Sequence, residues 1–325
     1  MTAATPQQGA SAGGRRRWAG ARSKSRTGDG RGRGGTAIGP GTVVAITGAS
    51  RGIGAEVARL AAGRGARVGL IARSADDLAA VLASVGGEAA GVAVTADVAD
   101  RDAIADACAR IARELGPVDV LVNNAGIGHF SLLVDTDADL VEKLWRVNVG
   151  GVIAPTQAVL PAMIDRGSGS IVTVSSVSGR IGVPFESVYS ATKFAVIGLS
   201  EGLRMELSGT GVRVHVVMPG PVATDFFAAR GAAYAHPRPR PVPSAAVARA
   251  VVDIAGSRRD EVYVPRWFAV AAIARLVVPP LYRMGALRDL RSIDRDAGGK
   301  VARPHAEGRG PSTHAPGGDG AGGGQ

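Results

Sequence analysis

The sequence predicts an α/β protein, a doubly wound parallel sheet of about seven strands with helices on both faces. Three observations carry this reading. Short apolar, β-branched runs recur near 42–47, 67–72, 92–95, 118–122, 170–175, 212–218 and 261–264, and each reads as a strand buried on both faces. The stretches between them have helical character, with long helices near 137–162 and 187–208, and strict alternation of strand and helix argues for a parallel sheet. Of 325 residues, 46% are hydrophobic, enough for one large core.

The first strand runs into Thr47, Gly48, Ala49, Ser50, Arg51, Gly52, Ile53 and Gly54, after which residues 55–62 look helical, with Val57, Leu60 and Ala61 on one side. A strand, a glycine turn and a helix start present free backbone N–H groups and the positive helix end to a phosphate. A side chain at the glycine positions would block the backbone's approach to a pyrophosphate. The spacing is Gly-x-x-x-Gly-x-Gly, not the Gly-x-Gly-x-x-Gly of the standard Rossmann fingerprint. The strand at 118–122 is followed by Asn123, Asn124, Ala125 and Gly126, where asparagines can tie strands together and Gly126 lets the backbone pass close to a ligand.

Asn148 falls mid-helix, where asparagine is unfavourable on propensity alone. Ser176 follows the strand at 170–175, and Tyr189 and Lys193 stand four residues apart on one face of the next helix. A phenol left alone titrates near about 10. A cation within about 4 Å, at an effective dielectric near 20, could stabilise the phenolate by up to roughly 4 kcal/mol. Tyr189 is thus a candidate general acid/base, and Ser176 a hydroxyl to bind the reacting oxygen. Beyond 212–218, Pro219, Gly220 and Pro221 force the chain out of the sheet ahead of Val222 and Thr224. All these motifs lie at the carboxyl end of a strand or on the helix after it, where doubly wound sheets bind ligands.

In order and spacing, residues 47–54, Asp97 with Val98, Asn123 to Gly126, Asn148, Ser176, Tyr189 with Lys193, and Pro219, Gly220 and Thr224 resemble the short-chain dehydrogenase/reductase family. The likeness covers about residues 42–265. It implies a Rossmann-type catalytic domain and an enzyme that acts on CH–OH groups with NAD(P) as acceptor, by hydride transfer to or from a carbonyl or alcohol carbon. In that family pattern Ser176 orients the oxygen and Tyr189 moves the proton. Lys193 lowers the pKa of Tyr189 and bonds the ribose, and Asn148 holds a water that links Lys193 to solvent. Gly48, Ser50, Arg51, Gly52, Ile53 and Gly54 form the phosphate loop, and Asp97 and Val98 bracket the adenine. Asn124, Ala125 and Gly126 lie along the nucleotide, with Asn124 nearest to it. Pro219, Gly220, the Val222 backbone and the Thr224 hydroxyl meet the nicotinamide end. The family likeness also implies a homodimer or homotetramer built through the two long helices.

Charge at the second strand's end selects the cofactor: an acid suits the NAD ribose and a cation suits the 2′-phosphate of NADP. Here the strand at 67–72 ends in Arg73, with Ser74 beside it and no acid before Asp76, and Arg51 is a second cation within the glycine loop. Arginine's planar fork matches a phosphate, so NADP(H) is expected over NAD(H). His129, Phe130, Val183, Pro184, Phe185, Phe226, Phe227 and Tyr234 would line an apolar, aromatic substrate end, which favours a lipophilic ketone, aldehyde or alcohol. Arg238 or Arg240 could meet an anionic tail there, which keeps 3-oxoacyl (fatty-acyl) carbonyl reduction as a second reading.

The net charge of +10 is unevenly spread. Residues 1–40 hold eight Lys/Arg against Asp29 alone, and 291–325 hold five against four acids, so the middle carries +2. Basicity therefore belongs mainly to the first 40 residues, and no nucleic-acid contact is expected of the folded domain. Residues 1–40 and 291–325 read as disordered tails, the first without the apolar run of a secretory signal. Between them, 41–265 is the catalytic domain and 266–290 an apolar extension, packed on the domain or at an interface. Within 265–287, Arg275 splits the apolar stretch into runs too short to cross a bilayer. The expected location is cytoplasmic, with contact to a membrane surface through 265–287 as the sharper alternative. Cys108, the single cysteine, reads as a small buried apolar residue, and the five scattered histidines suggest no metal site. A reading from another class makes the chain a non-catalytic binding protein on the same scaffold with a basic tail. The intact Ser176, Tyr189, Lys193 and Asn148 argue against it.

Overall fold

Seven strands pair in parallel in a computed structural model that describes residues 36–232, 234, 239–280 and 282–284. They are β1 (Val43–Thr47), β2 (Arg67–Ala72), β3 (Gly91–Thr95), β4 (Val120–Asn123), β5 (Gly169–Val174), β6 (Val212–Pro219) and β9 (Glu261–Val264). Two short strands, β7 (Val222–Ala223) and β8 (Val242–Pro243), pair only with each other. The sheet order is β3-β2-β1-β4-β5-β6-β9. The chain therefore winds outward from β1 to β3, returns to β4 and winds the other way, so the switch point lies between β1 and β4. Val44 marks it, paired with Val68 of β2 on one side and Val120 of β4 on the other.

Helices cover both faces: α1 (Gly52–Gly63), α2 (Ala75–Ser84), α3 (Arg101–Leu115), α4 (Ala138–Trp145), α5 (Gly151–Arg166), α6 (Ser187–Glu206), α7 (Phe226–Ala229), α8 (Ser244–Ala255) and α9 (Phe268–Val277). The period-2 pleat sorts β1 between two cores. Val44 and Ile46 pack with Val57 and Ala61 of α1 and with Val247 and Val251 of α8. Val43 and Ala45 face the other way, toward Ile104, Cys108 and Ile111 of α3 and Met163 of α5. Each fully buried Val, Ile or Leu contributes roughly 1.5–3 kcal/mol, and this two-sided burial explains why the strands read as unbroken apolar runs.

Three features differ from the sequence reading or refine it. The helix expected near 137–162 is continuous helical backbone from 138 to 166, but residues Arg146–Gly150 form a wider π turn between α4 and α5. Asn148 sits in that turn, its side chain committed to other segments, which is why an asparagine is tolerated mid-helix. By length and composition alone this run, Ala138–Arg166, is apolar enough to cross a membrane. In the fold it lies against the sheet, with Leu144, Asn148, Val159 and Met163 buried.

Second, the described residues ahead of 41 are already held in the fold. Thr36 N donates to Ser170 Oγ at 2.9 Å, Ser170 Oγ donates to Ala255 O at 2.7 Å, and Ile38 is buried in the core. One hydroxyl at the start of β5 thus pins the incoming chain to the end of α8. Residues 1–35 and 285–325 lie outside the described residues. Third, α9 docks by one face only. Phe268 and Ala272 are buried, and Arg275 donates to Arg180 O at 2.8 Å with its guanidinium 5.0 Å from the Phe194 ring. Trp267, Val270, Ile273, Leu276 and Val277 stay exposed.

Candidate active site

A cleft of about 770 Å³ opens at the carboxyl ends of the strands, running from Arg51 and Arg73 at one end to Tyr189 and Phe226 at the other. The glycine turn makes its floor. Gly48 and Gly52 have φ of +65° and +55°, the left-handed region that glycine enters without strain. Gly54 does not line the cleft. It lets α1 press onto the turn, because a Cβ there would stand 2.2 Å from Gly48 O and 2.7 Å from Asn124 Nδ2. No side chain caps the first turn of α1, so its backbone donors are not taken by a capping group.

A clasp sets the turn. Asn124 Nδ2 donates to Thr47 O and Gly48 O, both at 3.1 Å, while Thr47 Oγ1 accepts from Asn124 N at 3.1 Å and Ala125 N at 3.2 Å. The two strands at the switch point are thereby fixed to each other and to the phosphate loop. Arg51 and Arg73 are both exposed on the wall of the same cleft. Ser74 beside them accepts from Asp77 N and caps α2, so it is occupied structurally. Asp97 and Val98 follow β3 on the same wall, with Val98 against Gly151, where a Cβ would meet it at 2.9 Å. Asn124, Ala125, Gly126, Pro219, Gly220, Val222 and Thr224 complete the lining as read from the sequence. The uncapped helix start and the crowded glycines fit a dinucleotide cofactor, with Arg51 and Arg73 on the same wall. Among the described residues no cluster of His, Cys, Asp or Glu is placed to hold a metal ion.

At the far end β5 and α6 bring Ser176, Tyr189 and Lys193 together. Ser176 Oγ accepts from Ser178 N at 3.1 Å, which holds the hydroxyl just past the strand. Tyr189 and Lys193, one turn apart on α6, are both buried at the cleft wall. Burial pushes the Tyr189 phenol up to about 12, with its side-chain hydrogen bond to Ser176 pulling the other way. Burial likewise pushes the Lys193 ammonium down to about 8. The expected acidification of Tyr189 by Lys193 is therefore not what this geometry gives. Lys193 Nζ lies 5.7 Å from the Tyr189 ring centroid and donates to Val174 O at 3.3 Å, and burial is the largest cause of the shift on both groups. The phenol is held protonated at neutral pH.

Asn148 lies beneath the cleft and does not line it. Its Oδ1 accepts from Ile127 N at 2.9 Å, and its Nδ2 donates to Ile127 O at 2.9 Å and Thr192 Oγ1 at 3.1 Å. Gly126 is the point of contact: a Cβ there would stand 3.3 Å from Asn148 Oδ1 and 3.5 Å from Lys193 Nζ. Asn148 thus braces the loop after β4 against α6, close to the lysine it is expected to serve.

The substrate end corrects part of the lining expected from sequence. Phe130, Val183, Pro184, Phe226, Phe227 and Tyr234 line the cleft. His129 and Phe185 do not; they border a small separate void behind it, with the Phe185 ring tilted at 37° against Phe130, centroids 5.1 Å apart. Arg240 is exposed and off the lining, and Arg238 lies outside the described residues. Sequence reading missed Phe268 of α9, which packs where a Cβ on Gly220 would be 2.2 Å away, and the buried Arg230 and Glu186. A buried aromatic after the last strand could have been suspected from the apolar run at 268–274. Nothing local marks Arg230 or Glu186.

Residues 42–235 match the family model described as short chain dehydrogenase. The Mus musculus protein called Dehydrogenase/reductase SDR family member 7B is 34% identical over 256 residues, 74% of this chain and 78% of the relative. The protein of the same name in Danio rerio is 39% identical over 191 residues, 57% of this chain, which spans 62% of that relative's length. Among solved structures, a short chain dehydrogenase/reductase from Burkholderia phymatum in complex with NAD superposes with a TM-score of 0.68 at 24% identity, covering 74% of this chain and 94% of the other. An alcohol dehydrogenase from Thermococcus sibiricus, complexed with 5-hydroxy-NADP, gives a TM-score of 0.62 at 27% identity, covering 68% and 95%.

Proposed function

The chain belongs to the short-chain dehydrogenase/reductase family, and from that premise we propose that it is an NADP(H)-dependent reductase of a lipophilic carbonyl compound, with Tyr189 as the proton donor. The observation that carries the reading is one continuous cleft with the Arg51/Arg73 pair at one end and Ser176, Tyr189 and Lys193 at the other. When bound, a nicotinamide cofactor supplies the hydride. The chain's own residues do the rest. Ser176 Oγ, hydrogen-bonded with Tyr189, turns its proton to the substrate oxygen once that oxygen enters between them, and so orients the carbonyl. Tyr189 Oη gives its proton to that oxygen as negative charge develops, and a phenol protonated at neutral pH is in the form that reduction requires. Lys193, cationic below about 8, stabilises the phenolate left behind. Phe130, Phe226, Phe227 and Phe268 exclude water around the reacting oxygen, which strengthens each of these interactions.

A panel of lipophilic ketones and aldehydes with NADPH and with NADH, followed by nicotinamide absorbance, tests the reading. Oxidation of NADPH that depends on a member of the panel supports it, and none across a broad panel removes it. The same assay tests cofactor choice. Each arginine donating to the 2′-phosphate from an exposed position is worth about 1.5 kcal/mol, roughly tenfold in affinity. Arg51→Ser with Arg73→Ser should therefore lower the NADPH-over-NADH preference in kcat/KM by about 100-fold, with most of the change in the KM for NADPH. An unchanged ratio would return the cofactor question to the rest of the cleft.

Two exposed apolar surfaces bear on assembly. Trp145 on α4 and Leu199 and Met205 on α6 lie on the two long helices and suit self-association. The outer face of α9, with Arg266 and Arg283 exposed beside it, suits an anionic lipid surface. Co-sedimentation of the whole chain with anionic liposomes, run beside light scattering, separates the two. Lipid-bound protein that Ile273→Asp releases supports the α9 reading, and a dimer or tetramer indifferent to liposomes supports self-association alone.

A further inference from the structure

A buried charge pair beside the reacting groups is left over by this account. Arg230, the residue after α7, and Glu186, the residue ahead of α6, form an ion pair whose side chains are 7% and 8% exposed. Taking two charges out of water is expensive, and the attraction repays it only where geometry and further bonds are good. Here Arg230 Nε also donates to Ala232 O at 3.3 Å, and the guanidinium carbon lies 4.8 Å from the Phe130 ring centroid and 4.7 Å from that of Phe227. The backbone around the pair is equally tied. Phe130 N donates to Arg230 O at 3.2 Å, and Ser131 N donates to Phe185 O at 2.8 Å.

Phe185 carries φ of +62°, a conformation that a bulky side chain adopts only where its surroundings impose it. Three segments, 128–131, 183–186 and 226–230, meet at this point. Each contributes to the wall beside Tyr189, whose ring is 5.7 Å from that of Phe226.

The geometry points to Arg230 and Glu186 as a specificity-determining latch that makes the aromatic wall electrically neutral, so that the cleft accepts uncharged aryl ketones and rejects carboxylates. The inference rests on the carbonyl-reductase reading above and names its substrate class. Both residues line the cleft. An unmatched guanidinium on an apolar wall is an anion site, since its planar fork pairs with carboxylates. Matched by Glu186 and laid against two rings, it becomes a flat extension of the aromatic surface, offering stacking without net charge. The carboxylate likewise has no charge to spare for a cationic ligand.

Acetophenone and 4-acetylbenzoate, which share a reacting carbonyl and differ by one carboxylate, test the latch in the full-length protein. Two quantities are measured: kcat/KM with NADPH, and the calorimetric dissociation constant of each ketone for the protein loaded with NADP. The wild type should prefer acetophenone at least tenfold. Glu186→Gln uncovers the guanidinium and should move the ratio at least tenfold toward 4-acetylbenzoate, with the change in KM rather than kcat. Arg230→Met uncovers the carboxylate and should move it the other way. Arg230→Met combined with Glu186→Gln should restore the wild-type sense.

A pair that serves only the fold would lower the melting temperature and weaken both ketones in the same proportion, which overturns the latch. If one single variant fails to fold, the sign of the other and of the double variant still decides. Should the wild type bind both ketones but reduce neither these nor any member of the wider panel, the reductase reading falls while the calorimetric ratios still judge the latch. Binding of neither ketone to any of the proteins overturns the latch, and the wider panel then judges the reductase reading.

Discussion

Replacing Tyr189 by Phe should cut turnover by about a thousandfold, within the 10²–10⁴ range of general acid catalysis, while the dissociation constant for NADPH stays within about threefold. The substitution removes one oxygen and keeps the ring, so packing against Phe226 and the course of α6 are retained. What disappears is the proton that must reach the substrate oxygen as the carbonyl carbon is reduced, together with the hydrogen bond to Ser176. Lys193 is no substitute: its Nζ donates to Val174 O on the strand side of the cleft, and a water admitted in place of the phenol is a weaker acid held less firmly. Single-turnover kinetics at saturating NADPH, with cofactor affinity from fluorescence titration, separate chemistry from binding. A variant that turns over within tenfold of the wild type would remove Tyr189 from the reaction.

Gly54→Ala should weaken NADPH binding by roughly 10- to 100-fold and lower the melting temperature. Overpacking of this kind costs about 1–3 kcal/mol, and 1.4 kcal/mol is a factor of ten in affinity. The added methyl would fall 2.2 Å from Gly48 O, a backbone atom that cannot swing aside, and 2.7 Å from Asn124 Nδ2. Relief requires moving the glycine turn away from α1 or breaking the Asn124 clasp, and either displaces the donors meant for the phosphates. Gly63→Ala, at the other end of the same helix and with nothing within 4 Å of the new methyl, is the control and should leave cofactor affinity unchanged. Equal affinity in the Gly54 and Gly63 variants would show that the turn does not bind the cofactor.

The features readable in the sequence are those that local spacing encodes. The apolar runs mark the strands because a two-sided core demands them, and the glycine positions mark the turn because only glycine fits there. Tyr189, Lys193 and Ser176 are found because a helix turn and a strand end place them. What could not be read depends on contacts between distant segments. Glu186 and Arg230 are 44 positions apart, and each is unremarkable alone. The placement of Phe185 behind the cleft goes with its positive φ, which composition does not reveal. The shift of Tyr189 away from acidity is a matter of burial, which a four-residue spacing cannot express. The wide turn at Arg146–Gly150 likewise answers to Ile127 and Thr192, one before it in the chain and one after.

The Ser170 hydroxyl has a practical corollary. It fastens Thr36 near the opening residue of β5, whereas Ser176 lies beyond that strand's far end, some six residues and so roughly 20 Å away. A purification handle or surface tether joined directly to Thr36, in place of residues 1–35, would start at the end of β5 remote from the catalytic mouth. Immobilised by that route, the enzyme would present its opening outward to solvent.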